Sequence, residues 1–124
     1  MRNFSDLKRF AESCGFVVTS TTGGQHNVGS KHALGLAIDV RTRGKTNEEI
    51  EAFQRRCDAV GVRVRDERFR PANQRVWSGA HLHLEITATT MQIVSEFQTR
   101  NNLKPDGICG DKTLSALEKF YAKN

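Results

Sequence analysis

The sequence predicts an α+β fold: a small, mostly antiparallel sheet with helices packed behind it and a helical pair at the C-terminus. Two observations carry that expectation. Short β-prone runs recur along the chain up to Ile86, separated by amphipathic helical patterns with recognisable ends. After Ile86 the periodicity is helical only. A length of 124 residues suits one domain, or one small domain with a short appendage.

The elements follow in order. Leu7, Phe10, Ala11 and Cys14 share one face of an opening helix, which Ser5 is placed to cap and Gly15 to stop. Phe16 to Ser20 reads as a strand, and Thr21 to Gly29 as a polar, glycine-bearing loop containing His26. Leu36 to Val40 is a second β-prone run, with Asp39 at its polar step. Thr46-Asn47-Glu48-Glu49 is a capping box, and Ile50, Phe53, Cys57 and Val60 give the helix behind it a core face that ends at Gly61. Val62 to Asp66 alternates as a half-exposed strand does. Pro71 to Gln74 is loop, and Val76-Trp77 leads to a strand beginning at His81. Met91, Val94 and Phe97/Gln98 form a helical face, Leu103 to Gly107 turns, and Asp111 can cap a last helix that buries Leu114, Leu117 and Phe120/Tyr121.

Composition is that of a globular protein, 37% hydrophobic and 27% charged. A net charge of +5 suits an anionic partner: nucleic acid, a membrane surface, or a bacterial wall with its carboxylates and phosphates. The densest basic stretch is Arg63, Arg65, Arg68, Arg70 and Arg75. Only Phe69 and Trp77 accompany it as stacking partners, which argues against nucleic acid and leaves a basic rim facing a wall, or a solvated strand face. Cys14, Cys57 and Cys109 lack C-x-x-C spacing, and the first two fall on apolar helix faces, so buried free thiols are expected. No apolar segment reaches the ~18 residues of a membrane span, and there is no signal-peptide pattern. The expectation is synthesis in the cytoplasm, without stable membrane association.

All four histidines lie in two neighbourhoods, His26 and His32 in one, His81 and His83 in the other. His32, Asp39 and His83 offer two nitrogens and an oxygen, and three such ligands with one open position make a catalytic zinc site. His81, Leu82, His83, Leu84, Glu85 and Ile86 alternate strictly, so a strand places both imidazoles and Glu85 on one face. Gly35 allows a tight turn between His32 and the strand of Asp39. The alternative is a pair of surface histidines on an edge strand.

The run Ser30-Lys31-His32-Ala33-Leu34-Gly35-Leu36-Ala37-Ile38-Asp39 resembles the S-x-H-x-x-G-x-A-x-D signature of the zinc D-Ala-D-Ala carboxypeptidase family, which includes L-alanyl-D-glutamate endolysins. That family shares an H…D…H-x-H zinc site with lysostaphin-type endopeptidases and the hedgehog domain. His81-Leu82-His83 looks like the closing H-x-H, whose second histidine is the ligand. The resemblance therefore implies Zn2+ held by His32, Asp39 and His83. Carboxypeptidase-type relatives carry a catalytic carboxylate shortly before the ligand histidine; Trp77 to Leu82 contains none. Gly79 to Glu85 is more similar to the G-x-H-L-H-F-E of lysostaphin-type enzymes, where histidine does the acid/base work. That similarity assigns catalysis to His81 and the orienting of an imidazole to Glu85. The residues leave a carboxylate open as the base instead: Asp66 or Glu67, from a neighbouring loop, or Glu85. Relatives also carry an arginine in the loop before the first histidine to hold a substrate carboxylate; here none lies between Thr19 and Ser30.

The run from Ile93 to Leu117 resembles the second half of a three-helix peptidoglycan-binding module, with its F-Q…L-x-x-D-G-x-x-G-x-x-T-x-x-A-L pattern. Its alternative is a helical hairpin that only completes the core. The resulting expectation is a zinc peptidase domain over 1–87 and a partial peptidoglycan-binding segment over 88–124, docked because two helices bury too little surface alone. Together these imply a monomeric, endolysin-like endopeptidase or D,D-carboxypeptidase acting on peptidoglycan after holin-type or other non-Sec release. The rivals are a non-catalytic zinc-containing wall-binding protein and a wall-binding protein with vestigial activity.

Overall fold

A computed structural model describes residues 1, 3–20, 35–68 and 80–123. His26, Ser30, His32, Phe69, Arg70, Arg75, Trp77 and the loop expected over 71–74 lie outside the described residues. Among those described the order is α1 (Phe4–Ser13), β1 (Val18–Ser20), β2 (Ala37–Arg41), α2 (Asn47–Ala59), β3 (Arg63–Glu67), β4 (His81–Glu85), α3 (Ala88–Arg100) and α4 (Asp111–Lys123). The four strands form one antiparallel sheet in the order β1-β2-β4-β3, which is the α+β architecture expected.

Alternation along the two central strands divides the sheet into two chemistries. Ile38 and Val40 of β2 and Leu82 and Leu84 of β4 are all fully buried, in one cluster with Leu7 and Phe10 of α1 and Phe53 and Cys57 of α2. Phe53 stacks on Phe16, with ring centroids 4.1 Å apart. Each such aliphatic side chain contributes roughly 1.5–3 kcal/mol by leaving water. The opposite face carries Asp39, His81, His83, Glu85, Arg65 and Glu67. The expected edge-strand alternative does not hold, because β4 is central, between β2 and β3, and both of its histidines are buried.

Helix ends explain where each element sits. Asn3, not Ser5, caps α1: its Oδ1 accepts from the amides of Ser5 and Asp6, so Ser5 falls within the first turn. Thr46 caps α2 by accepting from the Glu49 amide. Thr87 and Thr90 form a reciprocal capping box on α3, and the Thr90 hydroxyl also donates to the Gly61 carbonyl at 2.6 Å. That bond is why Thr90 is fully buried while Met91, expected on the core face, is 37% exposed.

The C-terminal helices share the core of the sheet. Val94, Phe97, Cys109 and Leu117 join the same hydrophobic cluster, whereas Phe120, expected to be buried, is 45% exposed. Arg56 of α2 fixes α4 from outside. It pairs with Glu118 at 3.4 Å, lies over the Tyr121 ring, and accepts the Tyr121 hydroxyl at its carbonyl. Burial pushes the Cys57 thiol well up and the Cys109 thiol to about 11, so both are neutral and unreactive near pH 7. Cys14, expected to be buried, is only half-buried.

Gly61 is where the helical segment meets the α2–β3 turn. It takes φ +73°, and a Cβ there would lie 2.9 Å from Ile93 Cδ1 and 3.2 Å from the Thr90 backbone. Gly44, at φ +84°, has open space around it. Gly44→Ala should therefore cost only the left-handed backbone penalty of roughly 1–2 kcal/mol. Gly61→Ala adds the displacement of α3, so its fall in Tm should be roughly twice as large. Equal losses in a thermal melt would show that α3 does not press on this turn.

Candidate functional site

The polar face of the sheet is organised by register. Asp39 of β2 and His83 of β4 are direct cross-strand partners, as are Glu67 of β3 and His81 of β4. Because partners in an antiparallel pair project to the same side, both imidazoles meet carboxylates they are not near in sequence. His83 Nδ1 lies 3.0 Å from Asp39 Oδ1, and its Nε2 lies 2.8 Å from Glu85 Oε1. His81 Nε2 lies 3.1 Å from Glu67 Oε2 and 4.0 Å from Asp39 Oδ1.

The two contacts of His83 have a proton-counting consequence. A neutral imidazole has one N–H and one lone pair, and a carboxylate only accepts. Both contacts are satisfied if each ring nitrogen carries a proton, if one of the two carboxyls is protonated and donates, or if a cation stands between Nδ1 and Asp39. Zinc bonds of about 2.0–2.1 Å in a tetrahedron put neighbouring ligand atoms about 3.3 Å apart. The observed 3.0 Å is a hydrogen-bond distance a few tenths shorter than that spacing, so a small opening of the pair would admit zinc at two corners. Glu85 then stands behind His83, accepting its Nε2–H, as carboxylates commonly do behind metal-bound imidazoles. Among the described residues no three His, Cys, Asp or Glu side chains form a metal-binding group, and His32, the expected third ligand, lies outside them.

Of the expected alternative bases, Asp66 and Glu67 separate clearly. Neither is in a loop: they are the last two residues of β3 and point to opposite faces. Asp66 is paired across from Leu82 and grips the Arg68 guanidinium at 2.8 Å, which holds its carboxyl below the usual range. Glu67 is on the histidine face and bridges His81 and Arg65. Sequence reasoning left these two equivalent, although the alternation of Val62 and Val64 with Arg63 and Arg65 already places Asp66 and Glu67 on opposite faces.

A second locality lies in the C-terminal helices. Gln98 is almost fully buried, and its Nε2 lies 3.1 Å from Asp106 Oδ1, 3.0 Å from the Ile108 carbonyl and 3.0 Å from Thr113 Oγ1. Its Oε1 accepts from the Gly107 amide at 2.9 Å. The Ile108 amide, donating to Asp106, holds that carboxyl below its ordinary range, with Gln98 adding to the effect. Stabilisation from Asp106 is thus complete above the normal carboxylate range and is lost as pH falls through its lowered folded value. Beyond this network a groove of about 600 Å³ runs along α4, lined by Asn101, Leu103, Lys112, Ser115, Lys119 and Phe120 among others.

Residues 85–117 match the family described as a putative peptidoglycan binding domain. No curated protein and no solved structure matches the chain. The match makes peptidoglycan the partner indicated for this chain. It also gives the sequence pattern a physical meaning, since Gln98, Asp106, Gly107 and Thr113 are tied into one hydrogen-bond network. Gln98→Ala would strand the buried Gly107 amide and the Thr113 hydroxyl. A loss of about 2–4 kcal/mol in urea unfolding is expected; a change below 1 kcal/mol (~1 being one ordinary hydrogen bond) would mean the network does not hold the turn.

Proposed function

We propose that this protein is a zinc-dependent peptidase that hydrolyses a peptide bond in bacterial peptidoglycan and grips the wall through its C-terminal helices. The observation that carries the proposal is His83 set between Asp39 and Glu85, with its Nδ1 and the Asp39 oxygen at a hydrogen-bond separation that a small opening would suit to two ligands of one ion. His32 is proposed as the third ligand. Zinc bound there supplies Lewis acidity toward a peptide carbonyl and toward water. Glu85 orients the His83 ring. His81, on the same strand face, is proposed to take a proton from the attacking water and deliver it to the departing amine. The α4 groove is the proposed wall contact. Lys112 and Lys119 offer cations to stem-peptide carboxylates, and the half-exposed Phe120 ring offers an apolar plate for sugar. The proposed setting is the cell wall, reached by holin-type or other non-Sec release.

A second reading, a non-catalytic zinc-containing wall-binding protein, is favoured by one observation: the matched family is a binding domain.

Metal analysis and turnover decide between them. The full chain should bind one zinc, and Asp39→Ala and His83→Ala should each lose most of it. Purified sacculi should release peptide termini with the zinc-loaded chain and not after chelation. Lys112→Ala/Lys119→Ala should weaken sacculus pull-down while leaving zinc content unchanged. Zinc binding and pull-down without any turnover would favour the binding protein. Full zinc occupancy in both ligand variants would end the metal-site assignment.

A further inference from the structure

The polar face of the sheet carries cations as well as imidazoles and carboxylates. Register places Asp39, Glu67 and Glu85 on it, and with them Arg41, Arg63 and Arg65. Its carboxylates are all engaged: Asp39 and Glu85 with His83, and Glu67 with both His81 and Arg65. Arg41 and Arg63 are exposed, and among the described residues their guanidiniums make no hydrogen bond or ion pair. The charge left uncommitted on this face is therefore positive.

We propose that Arg41 anchors a free carboxylate of the wall peptide laid across this face, so that the chain prefers stem peptides with free carboxyl groups over amidated ones. The proposal rests on the reading of the histidine face as the place where wall peptide binds.

Position singles out Arg41. It is the direct cross-strand partner of His81, so their Cβ atoms are about 4.5–5.5 Å apart. It lies two residues beyond Asp39, about 7 Å along β2. A carboxylate held there is thus within about one peptide residue of the His83–Asp39 pair. The backbone beneath Arg41 is fixed from both sides. β2 runs between β1 and β4, and the Arg41 amide donates to the Val17 carbonyl at 2.9 Å. Only the side chain has to be ordered when a ligand arrives.

Arg63 is placed less well. Its direct partner is Glu85, a carboxylate that would oppose an incoming anion, whereas the partner of Arg41 is an imidazole. Arg63 also stands on β3, an edge strand, where a charge discourages further strand pairing. The preference for free acid follows from donor chemistry. A guanidinium offers parallel N–H donors that match both oxygens of a carboxylate. A carboxamide keeps one oxygen, turns its own donors toward the remaining N–H groups and carries no charge.

The test measures binding of a synthetic stem peptide, L-alanyl-γ-D-glutamyl-L-lysyl-D-alanyl-D-alanine, to the full chain in the presence of zinc. Two further peptides are amidated, one at the D-glutamyl α-carboxyl and one at the C-terminus. One of the amidated peptides should bind the wild type roughly 10-fold more weakly than the free acid, the scale of a charge-assisted hydrogen bond, and which one it is identifies the carboxylate. Arg41→Ala should bind the free acid as weakly as that amide, and Arg41→Lys should keep part of the preference. Arg43→Ala removes the same charge from the exposed turn after β2 and should keep all of it. Equal binding of the three peptides by the wild type, or binding of none, would overturn the proposal. So would a preference that survives in Arg41→Ala, or one that Arg43→Ala erases equally. Arg63→Ala erasing it in place of Arg41→Ala would move the anchor to the edge strand and overturn the proposal as well. Turnover of sacculi is scored separately. An Arg41-dependent preference without turnover sinks the peptidase reading and leaves the anchor standing, and turnover without any preference does the reverse.

Discussion

The pairing of β2 with β4 is the constraint on which the rest depends. It sets Ile38 against Leu84 and Val40 against Leu82 on the core side, and Asp39 against His83 on the other. Slipping β4 by one residue against β2 would put both imidazoles into the apolar cluster and Leu82 and Leu84 into the polar layer. The hydrophobic pattern therefore protects the polar one. The free energy that fixes the polar layer comes from the apolar face beneath it, and the carboxylate–imidazole contacts add geometry more than stability.

The helical segment is bound into the same scheme. Its match to a peptidoglycan binding domain starts at Glu85, the last residue of β4, so the strand that carries the histidines leads directly into it. Val94, Phe97 and Leu117 complete the cluster beneath the sheet, while Thr90 and Arg56 tie α3 and α4 to the turn and helix before β3. The helices of the matched segment and the histidine face are thus borne on one packed body.

Much of this was legible in the sequence, for identifiable reasons. Strict alternation from His81 to Ile86 gave the polar and apolar faces of β4, and the polar step at Asp39 gave its partner. The buried faces of α1 and α2 followed from 3.6-residue periodicity. What was not legible depended on contacts between distant residues. Thr90 displaced Met91 from the core because it could bond Gly61, and Gln98 was buried because four groups in the following turn and helix satisfy it. The alternation of Val62 and Val64 with Arg63 and Arg65 puts Glu67 on the polar face, but its place beside His81 comes from strand register, which is not local. The Thr87–Thr90 box was missed because its third position is threonine where glutamate or glutamine is the usual signal.

The central claim is that His83 and Asp39 meet in order to hold an ion. Anomalous diffraction at the zinc edge from crystals of the full chain grown with zinc tests it most directly. The account predicts one strong peak about 2.0–2.2 Å from both His83 Nδ1 and Asp39 Oδ1, with Glu85 still on His83 Nε2. Crystals with no peak there, and the His83–Asp39 hydrogen bond intact at full zinc, would contradict it.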